Sequence, residues 1–321
     1  MNEPILVTSA LSKSYHASRG LFLSQIRIQA LENISFSLSN AETLAVVGET
    51  GSGKTTLARI LSGLEQHDEG MILLKGKEFE NSKHNVKKIN QSIRLIFQNP
   101  GRTLNPKQQI KNILLQPLKS MKSVPEHEYE SRLLDIMKRV GLTIDQGNWY
   151  PHMFSGGHQQ RIAIARALIA RPEVVIADEP FSALDVSVQA QVTNLLLDLQ
   201  QQIGISYIFI SHNLGIVKHI SDKILVMFAG QMIEFGYTQD IFKKPQHPYT
   251  RTLLASIPGL GSMYPRKWIA TGKIATKTVT QEIGCPYAYR CQHANEQCAF
   301  EKPSQKLVDK QLVTCHLAGE I

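Results

Sequence analysis

No apolar run in the chain approaches the roughly 18 residues that suggest a membrane span, which excludes a helical membrane protein. The start, Met1-Asn2-Glu3-Pro4, lacks a basic region followed by an apolar stretch, so no signal peptide is visible and the chain is expected to stay in the cytosol. No internal repeat or low-complexity tract appears, which argues against a solenoid or a disordered linker protein. Lysine and arginine nowhere form a tight run. The net charge of +8 is therefore read as a solvated basic surface, and no nucleic-acid partner is expected. Cysteine is absent until Cys285; Cys291, Cys298 and Cys315 complete the set. In a reducing cytosol that clustering favours a metal site over disulfides. What remains is ordinary: 321 residues, 42% hydrophobic and 19% charged, enough for a sizeable core and about two domains.

The most informative stretch is Gly48-Glu49-Thr50-Gly51-Ser52-Gly53-Lys54-Thr55, followed by Thr56. Before it, Thr43-Leu44-Ala45-Val46-Val47 reads as a buried strand; after it, Thr55 to Leu61 reads as a helix stopped at Gly63. Strand, glycine-rich turn and helix form the context that G-x-x-x-x-G-K-[ST] requires. The glycines let backbone N–H groups wrap a phosphate, and the helix N-terminus adds partial positive charge there. Lys54 is expected on the β/γ phosphates of ATP and the Thr55 hydroxyl on Mg²⁺.

Other segments deliver polar residues from strand ends. Ile5-Leu6-Val7 and Ile34 to Leu38 read as strands, with Tyr15 between them as an aromatic able to stack on adenine. Gly70 to Leu74 is a strand, followed by a polar loop at 75–92. Ile93 to Phe97 is another, and it runs into Gln98, which can reach Mg²⁺ or the attacking water. Residues 102–170 read as mainly helical, with one apolar face over 126–140. Ser155-Gly156-Gly157-His158 precedes a helix expected over Ile162 to Ala170; Ser155 suits an N-cap, and the glycines leave N–H groups open as a second anion site. Val174 to Glu179 is a buried strand ending in two carboxylates, suited to a metal-orienting Asp178 and a water-activating Glu179. Ser182-Ala183-Leu184-Asp185 follows, then a helix at 188–203. Tyr207 to Ile210 is a strand that delivers His212, and 224–234 reads as a hairpin about Gly230. Past residue 240, Pro245, Pro248, Pro258 and Pro265 break the chain before the cysteines.

Cysteine spacing, Cys-x5-Cys-x6-Cys-x16-Cys, fits either an iron–sulfur cluster or structural zinc. Zinc sites usually show tight Cys-x₂₋₄-Cys pairs, and the wide gaps here suit a [4Fe–4S] cluster better.

In this order the segments resemble the ATP-binding cassette family. Tyr15 is similar to its adenine-stacking aromatic, 48–55 to Walker A, Gln98 to the Q-loop, 154–158 to the signature, 174–179 to Walker B, 182–185 to the D-loop and His212 to the switch histidine. Phe97-Gln98-Asn99-Pro100, Leu104-Asn105-Pro106, Ala183 to Gln189, His247-Pro248-Tyr249-Thr250, Ser256-Ile257-Pro258 and the cysteine run resemble the oligopeptide/dipeptide importer branch, which includes nickel and antimicrobial-peptide transporters. Departures are His158 for the usual glutamine, Asn99 and Asn213 for aspartate, and Phe181 for threonine.

The resemblance implies an α/β fold: a P-loop NTPase core with an antiparallel β subdomain, a helical subdomain at about 102–170 and a small cysteine-containing C-terminal extension. Residues 1–240 would be the nucleotide-binding domain and 241–321 the extension. It implies an ATPase that pairs head-to-tail with an identical or different ATPase subunit, Ser155 to His158 closing the partner's nucleotide and Ser182 and Asp185 lying near that interface. It further implies permease subunits, indirectly a substrate-binding protein, and a peripheral place on the cytoplasmic face of the inner membrane. A soluble cassette ATPase acting on nucleic acid or ribosomes is the competing class.

Overall fold

A computed structural model describes residues 3–17, 26–79, 89, 91–121, 123–182, 184–257 and 283–320. Ala183, Pro258, Pro265 and residues 80–88 of the polar loop lie outside the described residues.

Among the described residues, twelve strands form two sheets. The smaller comprises β1 (Pro4–Ala17), β2 (Ile26–Ser39), β4 (Glu69–Leu74) and β5 (Lys77–Glu78), antiparallel in the order β2-β1-β4-β5. The larger runs β11-β12-β10-β9-β3-β8-β7-β6. Its parallel centre is β6 (Ile93–Ile96), β7 (Val174–Asp178), β8 (Ser206–Ile210), β3 (Thr43–Val47) and β9 (Lys223–Phe228). An antiparallel margin is added by β10 (Gln231–Tyr237), β12 (Gln311–Thr314) and β11 (Gln305–Val308). β3, β7 and β8 are short apolar runs, which suits strands covered on both faces. One core lies between the two sheets and joins Leu6, Leu31 and Ile34 to Val46, Ile176 and Ile208. A second joins the other face of the large sheet to the helices of 110–199, including Leu114, Ile164, Val192 and Leu199.

The first two strands are 14 residues each, longer than the short runs legible in sequence. Register shifts between Thr8 and Leu11 and between Leu11 and Lys13 break the two-residue alternation on which that reading depends. The helix expected over Ile162 to Ala170 instead spans Gly156–Leu168, so the two glycines form its first turn. The helix expected at 188–203 spans Val186–Ile203 and stops at Gly204, whose φ of 68° supplies the left-handed C-cap.

Past residue 240 the chain returns to the large sheet. β12 pairs with β10 through Glu234 opposite Val313, and a helix at Pro248–Ala255 packs beneath. Tyr249 and Tyr287 join Val47, Val226 and Phe228 in a third core.

Candidate functional site

Because β6, β7, β8 and β3 are parallel neighbours, their carboxyl ends meet at one edge, the edge where open α/β sheets bind ligands. β3 runs into the phosphate loop, β6 delivers Gln98, β7 delivers Asp178 and Glu179, and β8 delivers His212.

Gly48 to Gly53 turn the chain between β3 and the helix Lys54–Leu61. Gly53 has φ 98°, and a Cβ there would lie 2.4 Å from the Ala30 carbonyl oxygen. Lys54 is 7% exposed, and its ammonium donates to the Gly48 carbonyl (2.9 Å), the Glu49 carbonyl (2.7 Å) and Ser52 Oγ (3.2 Å). Burial pushes its pKa down, opposed by the charges of Glu179, Asp178 and Glu49. A lysine so placed is a fixed positive charge at the loop's mouth, while Thr50, Gly51 and Thr55 stay exposed for a ligand. Tyr15, on β1, has its phenol pushed up by burial and by Glu65, against a hydrogen bond with Thr56 that lowers it. The aromatic is thereby beside the first turn of the phosphate-loop helix.

Asp178 is raised by burial and by the charge of Glu179, and lowered by a hydrogen bond from Thr55 and by Lys54 and Arg59. The Thr55 hydroxyl and the Asp178 carboxylate therefore sit side by side. With the Gln98 amide next to Glu179, the donors are all oxygens, the set that a hard dication such as Mg²⁺ takes.

Glu179 is the centre of the arrangement. Gln98 Nε2 donates to its Oε2 at 2.8 Å, and His212 Nδ1 lies 3.2 Å from its Oε1. Its backbone has φ 45°, ahead of Pro180, a conformation that costs about 1–3 kcal/mol and persists only where neighbours enforce it. Those neighbours are the Ile210 carbonyl, which accepts from Glu179 N–H at 2.9 Å, and Ser182, whose N–H and hydroxyl both donate to the Glu179 carbonyl. A carboxylate held this way is suited to activate a water.

Ser155 stands at the N-cap of the Gly156–Leu168 helix, as expected, but makes no capping bond to the backbone. Its hydroxyl is 2.8 Å from His158 Nδ1 instead. Ser155, Gly156 and His158 are exposed, so the first-turn N–H groups face outward. Asp185 has a local role absent from the sequence reading: it caps the Val186–Ile203 helix, accepting from Val188 N–H at 2.9 Å and Ser187 Oγ at 2.7 Å. Since the backbone donors of Gly156 and Gly157 do not depend on residue 158, His158→Gln should leave the turnover expected of this site unchanged or raise it mildly, by less than about tenfold, the weight of one neutral hydrogen bond. A gain of several hundredfold in steady-state turnover would refute this.

The four cysteines are free thiols, Cys298 and Cys315 buried and the others half-buried. Among the described residues, no group of three or more His, Cys, Asp or Glu is arranged to hold a metal ion, so the expected [4Fe–4S] site finds no support in this geometry. The thiols nonetheless share one neighbourhood. Cys285 is pushed up to about 11 by burial and by Cys315, Cys298 and Cys291, and its N–H donates to the Cys298 carbonyl at 2.8 Å. No helix among the described residues is long and apolar enough to cross a membrane.

Comparison with known proteins agrees with this geometry. Residues 31–182 match the family model described as ABC transporter, and residues 233–298 match the model described as oligopeptide/dipeptide transporter, C-terminal region. The chain is 44% identical over 317 residues to the dipeptide transport ATP-binding protein DppF of Haemophilus influenzae, covering 98% of this chain and 97% of that one. It is 38% identical to the oligopeptide transport ATP-binding protein AppF of Bacillus subtilis, covering 98% of each. Among solved structures, cbiO1 of Clostridium perfringens, part of the ABC transporter complex cbiONQ, is similar at a TM-score of 0.65 and 28% identity, covering 75% of this chain and 91% of that one.

Proposed function

The chain belongs to the ABC transporter family of ATP-binding proteins, which are ATPases, and from that membership we propose that it powers an importer for dipeptides and oligopeptides. The observation that carries the substrate class is the match of 233–298 to the peptide-transporter C-terminal region, within relatives similar end to end. Residues 1–240 are the nucleotide-binding part in this reading, with 102–170 as helical subdomain and 241–321 as extension.

The phosphate loop 48–56 binds the ATP phosphates and Tyr15 the adenine. Thr55, Asp178 and Gln98 hold Mg²⁺, which when bound neutralises phosphate charge. Glu179 takes the proton of the attacking water, and His212 and Gln98 fix its carboxylate. The exposed Ser155-Gly156-Gly157-His158 turn offers N–H donors to a nucleotide held by a second ATPase subunit, identical or not, and Ser182 and Asp185 lie beside that junction. Closure of the pair on ATP and reopening after hydrolysis is a population shift driven by differential binding. Permease subunits dock where Gln98 leaves β6. There a cleft of about 370 Å³ is lined by Phe97, Leu95, Thr103, Pro117 and Arg166, and Phe97 is exposed. In this reading the protein sits peripherally on the cytoplasmic face of the membrane, with a substrate-binding protein acting through the permease. Reconstitution with a peptide-importer permease and its binding protein tests the reading. A dipeptide-loaded binding protein is expected to stimulate ATP hydrolysis; equal turnover with and without peptide would sink the substrate class.

The cysteine segment is assigned to a [4Fe–4S] cluster in the same reading. Four cysteines within one short segment are an iron–sulfur donor set, and the gaps between them are wider than the tight pairs usual for zinc. Anaerobically purified protein is expected to be brown, with about four iron and four sulfide per chain. Any one of the four Cys→Ser changes should bleach it. Stoichiometric zinc without acid-labile sulfide would end the assignment.

A further inference from the structure

Position 49 is an unconstrained x in the phosphate-loop pattern, yet here every polar group of Glu49 is engaged. Its N–H donates to the Tyr249 hydroxyl at 2.9 Å, and its carbonyl accepts from Lys54 at 2.7 Å. Its carboxylate is gripped by Arg290 in a two-pronged bond, Nη1 to Oε2 and Nη2 to Oε1, both 2.8 Å. Tyr249 and Arg290 both come from beyond residue 240, outside the stretches that resemble the nucleotide-binding motifs and within the 233–298 region matched to the peptide-transporter C-terminal model.

Both grips are themselves braced. Tyr249 is fully buried, its ring 4.7 Å from Phe228 and 5.3 Å from Tyr287 by centroid. The His247-Pro248-Tyr249-Thr250 turn that carries it is held from two sides. His247 Nδ1 accepts from Tyr249 N–H at 3.0 Å, and the buried Glu234 carboxylate accepts from the N–H groups of Gln246 and His247 at 2.8 and 3.0 Å. The Arg290 guanidinium lies over the rings of Phe228 and Tyr287 at 5.6 and 5.5 Å, a cation–π seat that fixes its plane. Arg290 directly precedes Cys291, whose N–H donates to the Tyr287 carbonyl, and Cys285 and Cys291 pack on the same aromatic cluster. The path from the cysteine segment to the phosphate loop is therefore continuous through packed and hydrogen-bonded groups.

We propose that Arg290 and Tyr249 are positioning residues of the phosphate loop, acting through Glu49 so that the order of the four-cysteine segment sets the affinity for ATP. The inference rests on the reading of residues 48–55 as the ATP loop. Neither residue touches the reacting atoms; each fixes the peptide whose carbonyl holds Lys54. Losing either grip frees the loop to adopt conformations that do not bind phosphate, and apparent affinity falls with the competent fraction. Turnover at saturating ATP is spared, because bound nucleotide restores the loop.

The test uses the full chain, with Mg²⁺ and a fluorescent trinitrophenyl analogue of ATP for Kd and steady-state hydrolysis for KM and kcat. Arg290→Gln is expected to raise Kd and KM about fivefold, the weight of a partly exposed ion pair, with kcat within twofold. Tyr249→Phe should raise Kd by about two- to tenfold for one lost hydrogen bond. Glu49→Gln, which alters no packing in the extension, should raise Kd as much as Arg290→Gln does, and the double variant should be no worse in Kd than either single one. Kd within twofold of the parent in both Glu49→Gln and Arg290→Gln would overturn the proposal, as would strictly additive effects. Lys54→Ala separates the two readings: loss of nucleotide binding there, with Arg290→Gln unaffected, removes only this inference. Nucleotide binding undiminished in Lys54→Ala would instead remove the ATP-loop reading and this proposal with it.

Discussion

Glu179→Gln is expected to lower ATP turnover by about 10²–10⁴-fold, the usual weight of a general base, while leaving nucleotide affinity within a few fold. The substitution is isosteric, so the contacts to Gln98 and His212 persist in outline and the strained backbone at φ 45° is still enforced by Ile210 and Ser182. What disappears is the charge that, in the proposed mechanism, takes a proton from water. Affinity is spared because the groups proposed to bind phosphate, Lys54 and the loop amides, are separate from Glu179. Removing a negative charge near Lys54 even favours anion binding slightly. Single-turnover hydrolysis in the assembled complex is the direct measurement. A wild-type rate in the variant would show that water is activated elsewhere, and His212 would then be the group to examine, since it stands at the same carboxylate.

Much of this edge was legible from residues alone because the relevant signals are local. A short β-branched strand, a glycine turn and a helix within about twenty residues specify a phosphate loop with little help from the rest of the chain. The same holds for β7, where two carboxylates directly follow an apolar run. Legibility failed where the cause was non-local. The helix expected from Ile162 left out Gly156 and Gly157, since glycine costs about 1 kcal/mol in a helix, although Ser155 just before them suited an N-cap. Their place in a first turn becomes evident only once Gly157 is seen against Val188, which a Cβ would approach to 2.7 Å. Polar residues of β1 and β2 obscured their length, since bulges realign alternation by an amount no local pattern carries. The return of β12 to the main sheet and the grip of Arg290 on Glu49 join segments far apart in sequence. Spacing within the cysteine run says nothing of the aromatic platform of Phe228, Tyr249 and Tyr287 on which it rests.

Gly48→Ala, at a buried position of the loop, should be more damaging than Gly51→Ala on its exposed face. Gly48 has φ 153°, and a Cβ there would fall 2.1 Å from the Met227 carbonyl oxygen and 2.8 Å from Ser52 Oγ. The first of these is backbone of β9, held on one side by β3 and on the other by β10, so it has little room to retreat. Overpacking of this kind costs roughly 1–3 kcal/mol, and the backbone conformation roughly 1–3 kcal/mol more. Relief requires the loop to move off the end of β3, which displaces the very amides that meet phosphate. Gly51→Ala is the control. Its φ is 83°, but a Cβ there meets nothing within 4 Å, so only the left-handed penalty of about 1–2 kcal/mol applies. Gly48→Ala is therefore expected to melt well below Gly51→Ala in a thermal scan without nucleotide, and to bind the fluorescent ATP analogue far more weakly than the parent. Equal melting midpoints for the two variants would mean that β9 yields to the added methyl, and that the phosphate loop does not depend on the close approach of Gly48 to the neighbouring strand.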